Sequence, residues 1–166
     1  MKVRKDFVTN SSSSSFLLTF KDNSSIYNTL KKQFPPVVEN GWSAGENGYL
    51  AQLYDEIINA QCLSKEEIES LVISENWEIE WNLEKYLMRE KGMSYSETND
   101  YIRSEEGQKI LKKLCKEKIN RIFEAIGDNE IVVEVEHGDS GEGEDGVLEN
   151  DILPYLNCTV ASFSHH

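Results

Sequence analysis

Residues that could hold a metal ion are concentrated at the C-terminal end of the chain. All three histidines lie there, at His137, His165 and His166, and Asp139 and Glu142 follow the first of them closely. Imidazole nitrogens combined with carboxylate oxygens suit divalent transition metals. These residue types suit a divalent metal site built from the five side chains, but their spacing matches none of the HxH, HxxxH or HExxH patterns. The other interpretation, which we favour, is a frayed terminus beside a solvated acidic loop.

Two predicted strands decide whether these side chains can meet. Residues 131–136 are β-branched and alternating, residues 158–163 read as a closing strand, and residues 147–156 between them are predicted to be helical. That connection is long enough for a parallel crossover, which would bring both strand ends to one edge of a sheet. Antiparallel pairing would instead place His137 opposite Cys158 and far from the terminal histidines. The pattern leaves both pairings open.

A second feature is the serine-rich segment near the N-terminus. Residues 2–9 and 16–20 read as strands, so residues 10–15 are predicted to be the loop of a hairpin. The loop serines are either an ordinary solvated turn, which composition favours, or a flexible target for serine modification.

The middle of the chain is predicted to be helical. An apolar face recurs at helical spacing, Ser64 with Glu67 forms a capping box, and prolines and glycines end the segments. The predicted helices span residues 25–34, 48–61, a segment from 64, 77–91 and 104–126. We therefore expect a single α+β domain over residues 1–166, in which a small sheet (the N-terminal hairpin plus two C-terminal strands) packs on a bundle of four to five helices.

One predicted helix carries two apolar stripes on opposite sides. Trp77, Trp81 and Met88, which we call the Trp/Met stripe, lie within about 40° of one another on a helical wheel, and Leu83 and Leu87 belong to the opposite stripe. Either neighbours cover both faces, which we favour, or the Trp/Met stripe is an exposed surface that binds a protein partner.

The charge distribution is uneven. The net charge is -13, and from Ile122 onward the chain has 11 acidic residues and no Lys or Arg. Glu144 and Asp145 in the acidic glycine-rich loop are therefore candidates for contact with a basic partner. A row of lysines at 109, 112, 113 and 116 could bind nucleic acid, but the acidic chain as a whole makes a solvated helix face the better interpretation.

Composition also bears on location. No apolar run approaches the length of a membrane span, and no signal-peptide segment opens the chain. The three cysteines are odd in number and lack a CxxC pair, which argues against a disulfide framework. We expect a cytoplasmic protein with no membrane or nucleic-acid partner.

Three segments near the two ends of the chain form a distinctive set: DFVTNSSSSSF at residues 6–16, ILPYL at residues 152–156 and the ending FSHH. In these segments the chain resembles a set of uncharacterised clostridial and related Firmicute proteins. The resemblance implies a bacterial cytoplasmic protein whose terminal histidines are native, and it implies no activity.

From these features we expect a non-catalytic interaction or regulatory protein that binds a basic or apolar protein surface. The alternative is a metal-binding module or metal-dependent enzyme that uses the C-terminal histidines and carboxylates. Apart from that divalent metal, no cofactor is indicated, and the sequence leaves catalysis open.

Overall fold

In the computed structural model of the chain, the described residues are 13–34, 45–138 and 147–165. They contain helices and one three-stranded antiparallel sheet, which confirms the α+β fold class. The chain divides into two compact units. The sheet unit comprises Met1–Cys62 and Asn129–His166, and the helical unit comprises Leu63–Asp128.

The sheet is built around its first described strand. The strands β1 (Ser13–Phe20), β2 (Ile131–Gly138) and β3 (Thr159–His165) are arranged in the order β2-β1-β3, and β1 is antiparallel to both neighbours. The predicted strand at residues 2–9 lies outside the described residues. The loop predicted at residues 10–15 is wrong for residues 13–15. These residues belong to β1, because the pairing of β1 with β2 and with β3 extends to Ser13.

The two C-terminal strands do not pair with each other in either of the ways the sequence left open. β1 lies between them, and because each is antiparallel to β1, they run in the same direction. Both therefore end at the same edge of the sheet, where Ser13 pairs with Gly138 on one side and with His165 on the other.

Alternate residues of β1 and β2 build the core of the sheet unit. Phe16 and Leu18 are cross-strand partners of Val135 and Val133 and share one face, as expected for the two-residue period of a strand. This face packs with two helices, α1 (Ile26–Gln33) and α2 (Gly45–Asn59). Helical spacing predicts one buried face of α2 from five residues: Leu50, Leu53, Tyr54, Ile57 and Ile58. The first four are buried or half-buried, whereas Ile58 is exposed and was wrongly placed on that face.

Short irregular turns flank the regular elements of the sheet unit. Ser25 opens the predicted helix at residues 25–34 and is expected to cap it, because serine is a common N-cap residue. This expectation is wrong for its side chain, which makes no capping hydrogen bond to α1 and instead completes a capping box with Asp22 around the 3-10 turn Asn23–Ser25. The helix predicted at residues 147–156 is a π-helical turn, Leu148–Ile152, followed by the 3-10 turn Leu153–Tyr155. Pro154 has no backbone N–H to donate, which disfavours a continuous α-helix there.

The helical unit consists of four helices. They are α3 (Lys65–Ser74), α4 (Trp77–Glu90), α5 (Tyr95–Arg103) and α6 (Glu105–Ile126). The capping box of Ser64 and Glu67 starts α3 as predicted, and Gly127, with a φ of 56°, follows the last residue of α6. No helix was predicted at α5, although Ser94 and Glu97 form the same kind of capping box at its start.

Candidate functional sites

A buried histidine faces a carboxylate near the end of β2. His137 is 3% exposed, and its Nε2 lies 2.9 Å from Oε2 of Glu56 on α2. The other carboxylate oxygen of Glu56 accepts a hydrogen bond of 3.2 Å from Nε2 of Gln52, one helical turn earlier. Strand and helix are thereby joined at a polar contact within an otherwise apolar interface.

The surroundings of Glu56 act on its pKa in opposite directions. Partial burial raises the pKa, but the hydrogen bond and charge of His137 and the hydrogen bond from Gln52 together outweigh it. The net result is a pKa below the ordinary value for a glutamate. Glu56 is therefore ionised at neutral pH, and its contact with the imidazole stabilises that charge.

A second polar contact lies beside the first. Ser14 is the cross-strand partner of His137, and its Oγ donates a hydrogen bond of 2.5 Å to Oε1 of Glu149. Both residues are buried. The second oxygen of the Glu149 carboxylate, Oε2, has no hydrogen-bond partner within the part of the chain that the structure describes. We call Ser14, Glu56, His137 and Glu149 the polar cluster.

The hydrogen-bond pattern of the polar cluster bears on its chemistry. In a serine-nucleophile site, the serine hydroxyl donates to the imidazole that will take its proton. Here the hydroxyl of Ser14 donates to a carboxylate instead. The cluster thus gathers polar side chains where β1 begins and β2 ends, and it lacks the serine-to-histidine hydrogen bond of a nucleophilic triad.

The predicted metal ligands are only partly described. His137 belongs to the polar cluster, and His165 is placed by its backbone pairing with Ser13. Three ligands lie outside the described residues: Asp139, Glu142 and His166. Across residues 13–34, 45–138 and 147–165, no group of three or more His, Cys, Asp or Glu residues is arranged to hold a metal ion. The metal site stays a prediction.

The Trp/Met stripe lies on α4. Trp81 is 48% exposed, Met88 is 41% exposed and Trp77 is half-buried, whereas Leu83 and Leu87 on the opposite side are buried. The expectation that neighbours cover both faces of this helix is therefore wrong for Trp81 and Met88. The remaining predicted partner residues, Glu144 and Asp145, lie outside the described residues.

An open groove runs along another side of α4, within the helical unit. It has a volume of about 440 Å³ and lies between α4 and α6. Leu83 and Tyr86 line it from α4, while Leu114 and Arg121 line it from α6. Because Tyr86 is itself half exposed, apolar surface is accessible on two sides of α4.

Sequence reasoning missed three members of the polar cluster. Glu56 gave a usable signal, because it lies seven residues after the buried Tyr49 and so falls on the apolar side of α2. Ser14 gave a weaker one, since it alternates with Phe16 at strand spacing. Glu149 gave none, because the turn that carries it is irregular.

Comparisons with protein-family models, with curated proteins and with solved structures found no match. Within the described residues, no helix is both long enough and apolar enough to cross a membrane.

Proposed function

We propose that this chain is a protein-binding module and that the Trp/Met stripe of α4 is its binding surface. The observation that carries the proposal is that Trp81 and Met88 are exposed while Leu83 and Leu87 already provide the core face of the helix. Trp81 and Met88 therefore contribute little to the core of the helical unit. Aromatic and methionine side chains are enriched at the centres of protein interfaces, where they exclude water from large areas.

The surface defines the chemistry of the partner. The ammonium group of Lys85 lies 4.6 Å from the centre of the Trp81 ring, so one side of the indole carries a cation and the rest is apolar. Met88 adds a flexible apolar side chain that adapts to the shape of a partner. The matching surface is an apolar patch on another protein, with a polar or acidic group placed to meet Lys85.

The test is site-specific photocrosslinking in the cells that produce the protein. A benzophenone amino acid replaces Trp81 in one variant and Glu69, an exposed residue of α3, in the control variant. We expect one recurrent covalent adduct at position 81 that is absent at position 69, with the partner identified by mass spectrometry. Adducts that are equally diverse at both positions would contradict the proposal.

Metal binding at the sheet edge is the second candidate function. The observation that favours it is that β2 and β3 end at the same edge, each paired with Ser13. His137 would supply one imidazole there, and His165 and His166 the others, with Asp139 or Glu142 completing the shell. Because Nε2 of His137 already contacts Glu56, a metal ion would bind its other nitrogen or displace that carboxylate.

Metal content decides this second candidate. Untagged protein, purified without chelators, is compared with a His165→Ala/His166→Ala variant by plasma mass spectrometry. Stoichiometric zinc, manganese or iron that disappears in the variant supports a metal site. Equal and substoichiometric metal in both proteins counts against it.

A further inference from the structure

A second groove within the helical unit has an apolar floor. It lies between the C-terminal end of α3 and the side of α6, and its volume is about 400 Å³. The floor consists of Leu111, Cys115 and Ile119, which are each largely buried and recur one helical turn apart along α6. At 1.5 Å per residue, this apolar strip is about 12 Å long.

One rim of this groove is cationic. Lys112 and Lys116 line it from α6, and no carboxylate among the described residues lies within ion-pairing distance of either. Two other lysines of the same helix are paired: Lys109 lies 2.6 Å from Glu105, and Lys113 lies 3.9 Å from Glu117. The unpaired lysines are therefore those that face the groove.

The other rim is apolar and exposed. Ile73, near the end of α3, is 57% exposed and lines the groove from that helix, and Asn76, which follows α3, also lines it. The groove thus combines an apolar floor and two cations, which both recur along α6, with one exposed isoleucine from α3.

We propose that this groove binds an acidic amphipathic helix of a protein partner. The cations Lys112 and Lys116 are separated by one turn, about 6 Å, as are successive residues of the floor. A helix with apolar side chains at positions i, i+4 and i+7 matches the spacing of the floor residues. Asp or Glu residues beside those positions match the spacing of the two lysines. A fatty acid has a single carboxylate and matches only one of the two cations.

This inference rests on the proposed function in treating the chain as a protein-binding module, but it concerns a different surface. The residues of the α3/α6 groove and those of the Trp/Met stripe do not overlap. The two proposals can therefore fail separately. If only the proposal for the Trp/Met stripe is wrong, position 81 gives no specific adduct while the acidic helix still binds the groove. If only the proposal for the α3/α6 groove is wrong, the adduct at position 81 persists while no acidic helix binds the groove.

The experiment measures binding of synthetic peptides to the whole chain by fluorescence anisotropy. One peptide of about 16 residues is helical, with leucines at i, i+4 and i+7 flanked by glutamates, and the second carries lysines in place of the glutamates. We expect the acidic peptide to bind at least about tenfold more tightly than the basic one, and to weaken as salt rises from about 50 mM to about 0.5 M.

Matched variants locate the binding. Lys112→Gln/Lys116→Gln should weaken binding of the acidic peptide about tenfold, whereas Lys109→Gln/Lys113→Gln removes the same charge from the same helix and should change it less than about twofold. Ile73→Ser should weaken binding, and Ile58→Ser, which alters another exposed isoleucine, in the sheet unit, should not.

Three results would overturn the inference. They are equal affinity for the acidic and basic peptides, equal losses in the two double-lysine variants, and displacement of the acidic peptide by decanoate at stoichiometric concentration. The last result would assign the groove to a small lipid-like ligand.

Discussion

The contact between Glu56 and His137 should make the sheet unit sensitive to acid, and Glu56→Gln should remove that sensitivity. A hydrogen bond to a charged group contributes about 1.5–3 kcal/mol to stability. The side chain of Glu56 is one-third exposed, so solvent screening reduces this value. We therefore expect Glu56→Gln to lower the free energy of unfolding by about 1–2 kcal/mol at about pH 6.

The sign of the pH dependence follows from the pKa of Glu56. Its folded-state pKa is lower than the ordinary value of 4.5, so the folded protein takes up this proton less readily than the unfolded chain. The stabilisation is complete above pH 4.5 and is lost as the pH falls through the folded-state pKa. The difference between wild type and Glu56→Gln should therefore shrink toward about pH 3.5.

The assay is urea unfolding followed by the amide NMR signals of β1 and β2, with those of α6 recorded in parallel for the helical unit. Asp55→Asn is the matched control, because it removes an exposed carboxylate from the adjacent position of α2. A Glu56→Gln variant as stable as Asp55→Asn would refute the reasoning. So would a stability difference of the same size at both pH values.

Three further predictions concern other buried groups. Ser14→Ala should lower the stability of the sheet unit by about 1.5–3 kcal/mol in urea unfolding, because the buried Glu149 carboxylate loses its donor. Gly107→Ala should destabilise the helical unit by about 1–3 kcal/mol, because the added Cβ would overlap the backbone at the end of α5. Burial raises the pKa of the Cys158 thiol to about 11, so iodoacetamide should alkylate exposed Cys62 in folded protein at about pH 8 and reach Cys158 only after unfolding, as mapped by mass spectrometry.

Each of these predictions has a control in the same unit of the chain or in the same sample. Ser162→Ala and Lys109→Ala alter exposed positions of β3 and α6 and should change stability by less than about 0.5 kcal/mol. Losses as large in these controls would contradict the first two predictions. Alkylation of Cys158 in folded protein at the rate of Cys62 would contradict the third.

Local signals in the sequence predicted the helices and strands better than the contacts between them. The Ser64 capping box and the β-branched run of β2 are short-range patterns, and both elements formed where they were expected. The same capping signal is present at Ser94 but was not recognised, so α5 was not predicted. Ile58 fitted the helical period yet is exposed, since the period marks a face without fixing how much of it is covered.

The candidate sites depended on topology, which local patterns do not determine. The contact of His137 with Glu56 joins residues far apart in the chain, and in the sheet that carries His137, β1 lies between β2 and β3. Neither of the two strand pairings considered from sequence contained that arrangement. By contrast, the Trp/Met stripe was visible from helical spacing alone, and only the exposure of Trp81 and Met88 needed the structure.

The affinity of the partner crosslinked at position 81 tests the central claim most directly. The purified partner is titrated by calorimetry against wild type, Trp81→Ser and Tyr95→Ser, the last being an exposed aromatic residue of α5. Our account predicts that Trp81→Ser weakens binding at least about tenfold while Tyr95→Ser changes it less than about twofold. Equal affinity of all three proteins would show that the Trp/Met stripe is not the binding surface.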